Sequence, residues 1–221
     1  HSPKEGVSKQ LGNGKLLSQL TKKNVIYNFR ENDLKNGGEG APLTPLFHKL
    51  LKKKLGIKEA IFANIGGIVN ITYIDGKNNF YAKDIGPGMC LIDQWIRSNT
   101  KNKYDQNGNL AKSGTINKII LDQALEMFFE NFSDLKDKKT YSFDTKDFDL
   151  SFVRGLSLED AAATLTEFTL RIMLDFFKAK NYEIIFCGGG RKNDYLIDGL
   201  KKDKISFKLI DNFGIKGDFI E

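Results

Sequence analysis

Cysteine is nearly missing from this chain, and its absence excludes several kinds of chemistry. Only Cys90 and Cys187 occur in 221 residues, and neither belongs to a C-x-x-C pair. A zinc ribbon and a thiol redox centre therefore lack their ligands. Both thiols are expected to be unpaired and non-catalytic, in a chain suited to a reducing cytoplasm; Cys187 closes an apolar strand with no base beside it. Arginine is scarce too, at five of the 34 basic residues. The net charge of +6 rests on lysines scattered in short runs such as Lys52-Lys53-Lys54. That is the pattern of a solvated surface, and no nucleic-acid-binding signature accompanies it, so no nucleic-acid partner is expected. No apolar run approaches the roughly 20 residues that span a bilayer, and no cleavable leader opens the chain, so no membrane partner is expected either. Internal repeats and low-complexity tracts are also missing.

What is present is material for a large core: 40% apolar residues, with 17 phenylalanines. The length allows one or two domains. Residues 1–36 read as a loop, a helix at Leu16–Leu20 and a strand in which Val25, Tyr27 and Phe29 alternate. The break Gly37-Gly38-Glu39-Gly40 marks a boundary, giving a first segment, 1–36, and a second, 37–221. Thr44-Pro45 opens a helix closing at Gly56. His48 lies within it and reads as a packed histidine.

The most informative stretch runs from Ile61 to Trp95. Ile61–Ala63 is a short apolar strand interrupted by Asn64 and Gly66-Gly67. Val69, Ile71 and Tyr73 resume with period two and stop at Asp75-Gly76, a hairpin signal. Phe80–Lys83 forms a third strand that runs into Asp84, expected at the strand's end, where α/β sheets gather ligands. Gly86-Pro87-Gly88 follows, then a helix carrying Leu91, Ile92 and Trp95. Glycines bring backbone N–H groups close to an anion.

Further along, 99–114 reads as a polar loop. Asp105, Asn107 and Asn109 open like a calcium loop, but Ile116 stands where the bidentate Glu belongs, so no metal ligand set is assigned. Ile116–Phe132 is helical. Asp144, Asp147 and Asp149 fall in a charged segment without period and read as solvated. Ser157–Lys180 is the strongest helix, opened by Ser157 and Asp160 in the manner of a capping box. Glu183–Cys187 is a buried strand entering Gly188-Gly189-Gly190. A helix begins near Asn193 and Leu196, and Ser206–Ile210 is a last strand. Three hairpin-linked strands followed by strands joined through helices predict an α/β, ribonuclease-H-like lobe. Its mixed five-stranded sheet should carry helices on both faces, as in each half of the sugar kinase, actin and Hsp70 ATPase architecture.

Several motifs together resemble the anhydro-N-acetylmuramic acid kinase family of cell-wall recycling. They are Leu11-Gly12-Asn13, Asn28-Phe29-Arg30, GGEGAPLTPLFH from Gly37 to His48, and NIGGIVNIT from Asn64 to Thr72. DIGPG with Leu91-Ile92-Asp93 and Trp95, TLTEFT from Thr164, and CGGG with Asn193 complete the set. The resemblance implies ATP, Mg2+ and an amino-sugar substrate whose 1,6-anhydro bridge is opened by water as O6 is phosphorylated. By that resemblance Asp84 is the base. Asn64, Gly66, Gly67 and Asn70 form a phosphate loop, and Gly188, Gly189, Gly190 and Asn193 meet the adenosine. Arg30, Glu39, Pro42 and Gly86 fall near the sugar. Met89 and Glu39 stand where the family usually has Asn and Gln. The family's first phosphate loop and closing helix find no counterpart, so the chain resembles a fragment. Residues 1–36 are then expected to present apolar surface and drive self-association, a homodimer being the simplest form. Two other readings compete. A Rossmann oxidoreductase would need a third glycine where Asn193 stands. A non-catalytic nucleotide- or sugar-binding module would bind ligand without turnover.

Overall fold

The structure, a computed structural model, describes residues 8–9, 11–37, 40, 43–136, 141–178 and 182–220. Glu39 and Pro42 lie outside the described residues. The chain divides into two compact units, His1–Phe47 and His48–Glu221.

In the first unit α1 (Gly14–Thr21) starts where the Asn13 side chain accepts the Leu16 amide at 2.9 Å. Tyr27 packs over Gly14 and leaves no room there for a Cβ. The alternation at Val25–Phe29 does not become a strand. Those residues pair with no ladder, and Asn28, at φ +60°, turns the chain into α2 (Glu31–Lys35). Alternation supplies side-chain facing, but a strand also needs a neighbour for its N–H and C=O groups. Leu11, Leu16, Leu17, Leu20, Ile26 and Phe29 are all exposed.

Beyond α3 (Thr44–Lys54), the second unit is built on five strands: β1 (Ala60–Ile65), β2 (Ile68–Ile74), β3 (Phe80–Pro87), β4 (Glu183–Cys187) and β5 (Phe207–Leu209). Their spatial order is β3-β2-β1-β4-β5. β1, β2 and β3 form an antiparallel meander, while β4 lies parallel to β1 and β5 parallel to β4. β1 is buried at all six positions, as a central strand covered on both faces must be. The β2–β3 turn is held by Asp75, which accepts the amides of Lys77 and Asn79 at 2.8 Å each. Lys52 is not solvated: it is 4% exposed and donates to the Asp75 carbonyl and to Asn78 Oδ1.

Helices cover both faces. On one, α7 (Leu158–Phe177) and α8 (Asp194–Lys202) pack Leu170, Met173, Leu174, Leu196 and Leu200 against Ile61, Ala63 and Phe186. On the other, Leu51 of α3 meets Phe62, Ile74 and Ile185. A second core joins α4 (Cys90–Asn99), α6 (Lys118–Asn131) and α7 through Leu91, Ile96, Leu121, Phe128 and Leu165. α7 is opened by Ser157, whose Oγ accepts the Asp160 amide at 3.1 Å. Asp160 does not return the bond; it accepts the Thr115 amide at 2.7 Å and ties the preceding loop to the helix.

Candidate active site

The Gly66-Gly67 turn between β1 and β2 is fixed from below. The amides of Gly88 and Cys90 donate to the Gly67 carbonyl at 2.9 and 3.0 Å, and that of Met89 donates to the Gly66 carbonyl at 2.8 Å. The N–H groups that lead into α4 are thus spent on the turn's carbonyls. Gly88 lies so close to the Gly66 carbonyl that a Cβ would collide with it, and its own carbonyl accepts Thr169 Oγ1 from α7 at 3.0 Å.

The second glycine turn follows β4. Gly188 has φ +80°, and the Asn64 side chain and Ile65 backbone crowd the place a Cβ would take. Asn64 is 3% exposed and lies between Gly66 and Gly188, so one side chain spaces the two turns. Arg191 holds the second turn's shape. Its guanidinium, 4% exposed, donates to both oxygens of Asp211 at 2.6 and 3.1 Å. It also reaches Asp218 and the Gly188 carbonyl, each at 2.8 Å. The first cause of the raised Arg191 pKa is its bond to Asp211, so the cation is permanent. Asn193 accepts the Leu196 amide at 3.3 Å and starts α8.

These two turns wall one cavity of about 340 Å³. Ile65, Gly66 and Gly67 stand on one side, and Gly189, Gly190, Lys192 and Asn193 on another. Met89 and Asp93 of α4 and the segment Tyr104–Asn107 close it. The volume is in the range of small-ligand pockets. Of the residues expected from sequence, Gly66, Gly67, Gly189, Gly190 and Asn193 come together here; Asn64, Asn70 and Gly188 stand outside the lining.

Asp84 lies elsewhere and differs from expectation. β3 does not end there; it continues to Pro87, with a bulge that pairs Val69 with Gly86 and Asn70 with Asp84. The extra residue, Ile85, is buried at 2% exposure, which re-aims the chain on either side of it. The segment Tyr141–Phe143 runs alongside this edge. The Asp84 amide donates to the Tyr141 carbonyl at 2.8 Å, and Asp84 Oδ2 accepts the Phe143 amide at 2.7 Å. Gly86 is buried against Ile172 and Phe128, which gives it a packing role. Arg30 is half-buried in the first unit, just before α2.

Sequence reading missed Asp93, Tyr104, Asp105, Gln106 and Lys192 as cavity residues. Asp93 carried a signal, a carboxylate among Leu91, Ile92 and Trp95. Burial and Asp105 push it up to about 6 against the pull of Arg97. Asp105 precedes α5 (Asn109–Ser113), a helix inside the expected loop, and holds its first turn: its oxygens accept the amides of Leu110 and Ala111 at 2.9 and 3.0 Å. Asp144 and Asp147 cap one another's short 3-10 turn, and Asp149 accepts the Ser151 amide at 3.1 Å. Among the described residues no group of three or more His, Cys, Asp or Glu gathers as a metal site, and no helix is long and apolar enough to cross a membrane.

A ribonuclease-H-like sheet with glycine turns after β1 and β4 on one cavity defines a lobe of the sugar kinase, actin and Hsp70 ATPase class. The family model described as anhydro-N-acetylmuramic acid kinase matches residues 1–221, and the chain belongs to that family. It is 49% identical over 234 aligned residues to the anhydro-N-acetylmuramic acid kinase of Pelagibacter ubique, covering all of this chain and 61% of the relative. The corresponding kinase of Zymomonas mobilis is 38% identical, with 100% and 60% covered. The chain thus spans about three-fifths of the length of the curated relatives it matches. Among solved structures, the activator of 2-hydroxyisocaproyl-CoA dehydratase from Clostridium difficile, with bound ADPNP, superimposes with a TM-score of 0.42 at 11% identity, covering 73% of this chain and 56% of the activator. That likeness is too slight to build on.

Proposed function

We propose that the protein to which this chain contributes is an ATP-dependent sugar kinase. It opens the 1,6-anhydro bridge of anhydro-N-acetylmuramic acid with water and phosphorylates O6, giving N-acetylmuramic acid 6-phosphate. The observation that supports this most is the convergence of two glycine turns, more than a hundred residues apart in sequence, on one cavity. Gly66 and Gly67 offer backbone donors without side chains in the way, as a phosphate requires; Gly189, Gly190 and Asn193 form the wall for adenosine. Asn64 acts behind that wall by spacing the turns, Gly188 lets the second turn approach it, and Asn70 stands opposite Asn64 on β2. Mg2+ would enter with the nucleotide and supply charge neutralisation of its phosphates.

Asp84 is assigned as the base. It takes a proton from water as the water oxygen bonds to C1; the C1–O6 bond breaks, O6 bonds to the terminal phosphorus of ATP, and the bond from that phosphorus to the bridging oxygen breaks to release ADP. The Phe143 amide on Oδ2 fixes the carboxylate's direction. Arg30, Glu39 and Pro42 are candidates for sugar contact by family resemblance, whereas Gly86 is buried against Ile172 and Phe128 and keeps its packing role. A cytoplasmic location and a homodimer belong to the same proposal.

Two measurements test it. Calorimetric titration of the chain with ADP should give a saturable site; a flat trace would remove the nucleotide. The complete protein, given ATP, Mg2+ and the anhydro sugar, should release the 6-phosphate, and ADP formation without sugar phosphate would overturn the assignment.

A further inference from the structure

One side chain of the cavity has no part in that scheme. Asp93 is half-buried on α4 and lines the cavity, yet its carboxylate accepts no hydrogen bond among the described residues. Its neighbours are already engaged. Both oxygens of Asp105 are used by the amides of Leu110 and Ala111, and Lys192 Nζ is paired with Asp218 at 2.7 Å.

We propose that Asp93 accepts the ribose hydroxyls of the bound nucleotide and so selects ribonucleotides over nucleotides lacking the diol. The inference rests on the nucleotide reading of the cavity and deepens it. Three observations carry it. A bare carboxylate repels phosphates, and among the described residues no group of three or more His, Cys, Asp or Glu gathers there to hold a bridging cation, so its partner is an uncharged part of the ligand. The Met89 amide is pinned to the Gly66 carbonyl, which fixes the start of α4 to the turn assigned to phosphate. Asp93 is one helical turn further, about 5.4 Å along the axis, at the depth of the sugar adjoining the phosphates. The remaining wall, Gly189–Asn193, is left for the base. A carboxylate with two free oxygens then matches a vicinal diol, the pairing that acidic residues make with ribose in dinucleotide folds.

The charged and titratable groups around it are few. Arg97 and the Cys90 thiol lie on its own helix, Asp105 and Tyr104 on the next segment, and Lys192 on the second glycine turn; the Gly66-Gly67 turn contributes none. Desolvation is the main cause that raises the Asp93 carboxyl to about 6. Its accepting form is therefore full above that pH and fades below it.

The test compares ADP with 2′,3′-dideoxy-ADP in calorimetric titrations of the chain. The wild type should bind ADP about 10- to 100-fold more tightly, the range for hydrogen bonds to a charged acceptor. Asp93→Ala should bring the ratio close to one by weakening ADP alone. Between pH 7.5 and 5 the wild-type ratio should fall, while in Asp93→Asn it should be flat; the titration of the phosphates cancels in the ratio. If ADP binds but Asp93→Ala keeps the wild-type ratio, or the wild type shows no preference, the assignment of Asp93 is wrong and the cavity reading stands. If neither nucleotide binds the wild type, both fall together.

Discussion

The proposed base, Asp84, has to be held in one direction, and the Phe143 amide holds it by donating to Oδ2, a place where asparagine still presents an acceptor oxygen. Asp84→Asn should therefore keep the local shape. In the complete protein we expect turnover to fall about 10²- to 10⁴-fold, the usual worth of a general base, with ADP affinity unchanged because Asp84 does not line the cavity. A variant that melts at lower temperature but turns over normally once folded would mark Asp84 as structural. His48 makes a different prediction at the same scale. It is 1% exposed, stacks on Phe62 with ring centroids 4.8 Å apart, and its Nδ1 lies 2.9 Å from Thr72 Oγ1. Burial lowers its pKa from 6.5 to about 4. The unfolded chain then takes up a proton that the folded one refuses. Stability is full above about pH 6.5 and is lost as the pH falls towards 4, by up to about 3 kcal/mol. Urea denaturation at pH 7 and 4.5 should show that loss in the wild type and a smaller one in His48→Phe. Equal losses would place the acid sensitivity elsewhere.

At the scale of elements, the strands and long helices were legible because their signals are local. The apolar run of β1, the alternation of β2, the Asp75-Gly76 turn and the Ser157 cap each lie within a few residues. What was not legible depends on partners distant in sequence. β3 extends past Asp84 because β2 and the Tyr141–Phe143 segment flank it, and Ile85 bulges into the core. Val25–Phe29 has the alternation of a strand and no ladder to join. Asp105 looked like a failed calcium ligand because its actual partners, two amides five and six residues on, are backbone groups. The two glycine walls of the cavity were foreseen; most of the rest comes from the start of α4 and the loop after it, which only the fold brings opposite Gly189. Arg191 shows the same dependence and is testable. Its two carboxylate partners are about half exposed, at 47% and 52%, so they can rehydrate when the cation is lost. Arg191→Gln should then cost about 1–3 kcal/mol, less than for a fully buried pair. Faster hydrogen exchange confined to Gly189–Asn193 would mark the loosened turn; unchanged exchange there would refute the latch.

For the whole molecule, the apolar side chains exposed in His1–Phe47 predict association. Light scattering should show mass rising with concentration, and Leu16→Glu with Leu20→Glu should suppress the rise; a monomer at all concentrations would exclude it. The parallel pairing of β1 with β4 has a consequence in time. Cys187 Sγ reaches the Ala63 carbonyl across 124 residues of chain, whereas the β1–β2–β3 meander closes through short turns. Loops of that length close late, since their entropy must be met before any contact repays it. A refolding chain should recover its hairpins first and its ligand cavity last. During synthesis, the meander can form while β4 is still unmade. A nucleotide added during refolding would leave the early rates untouched and slow only unfolding, as expected for a ligand whose site does not exist until the final crossing is made.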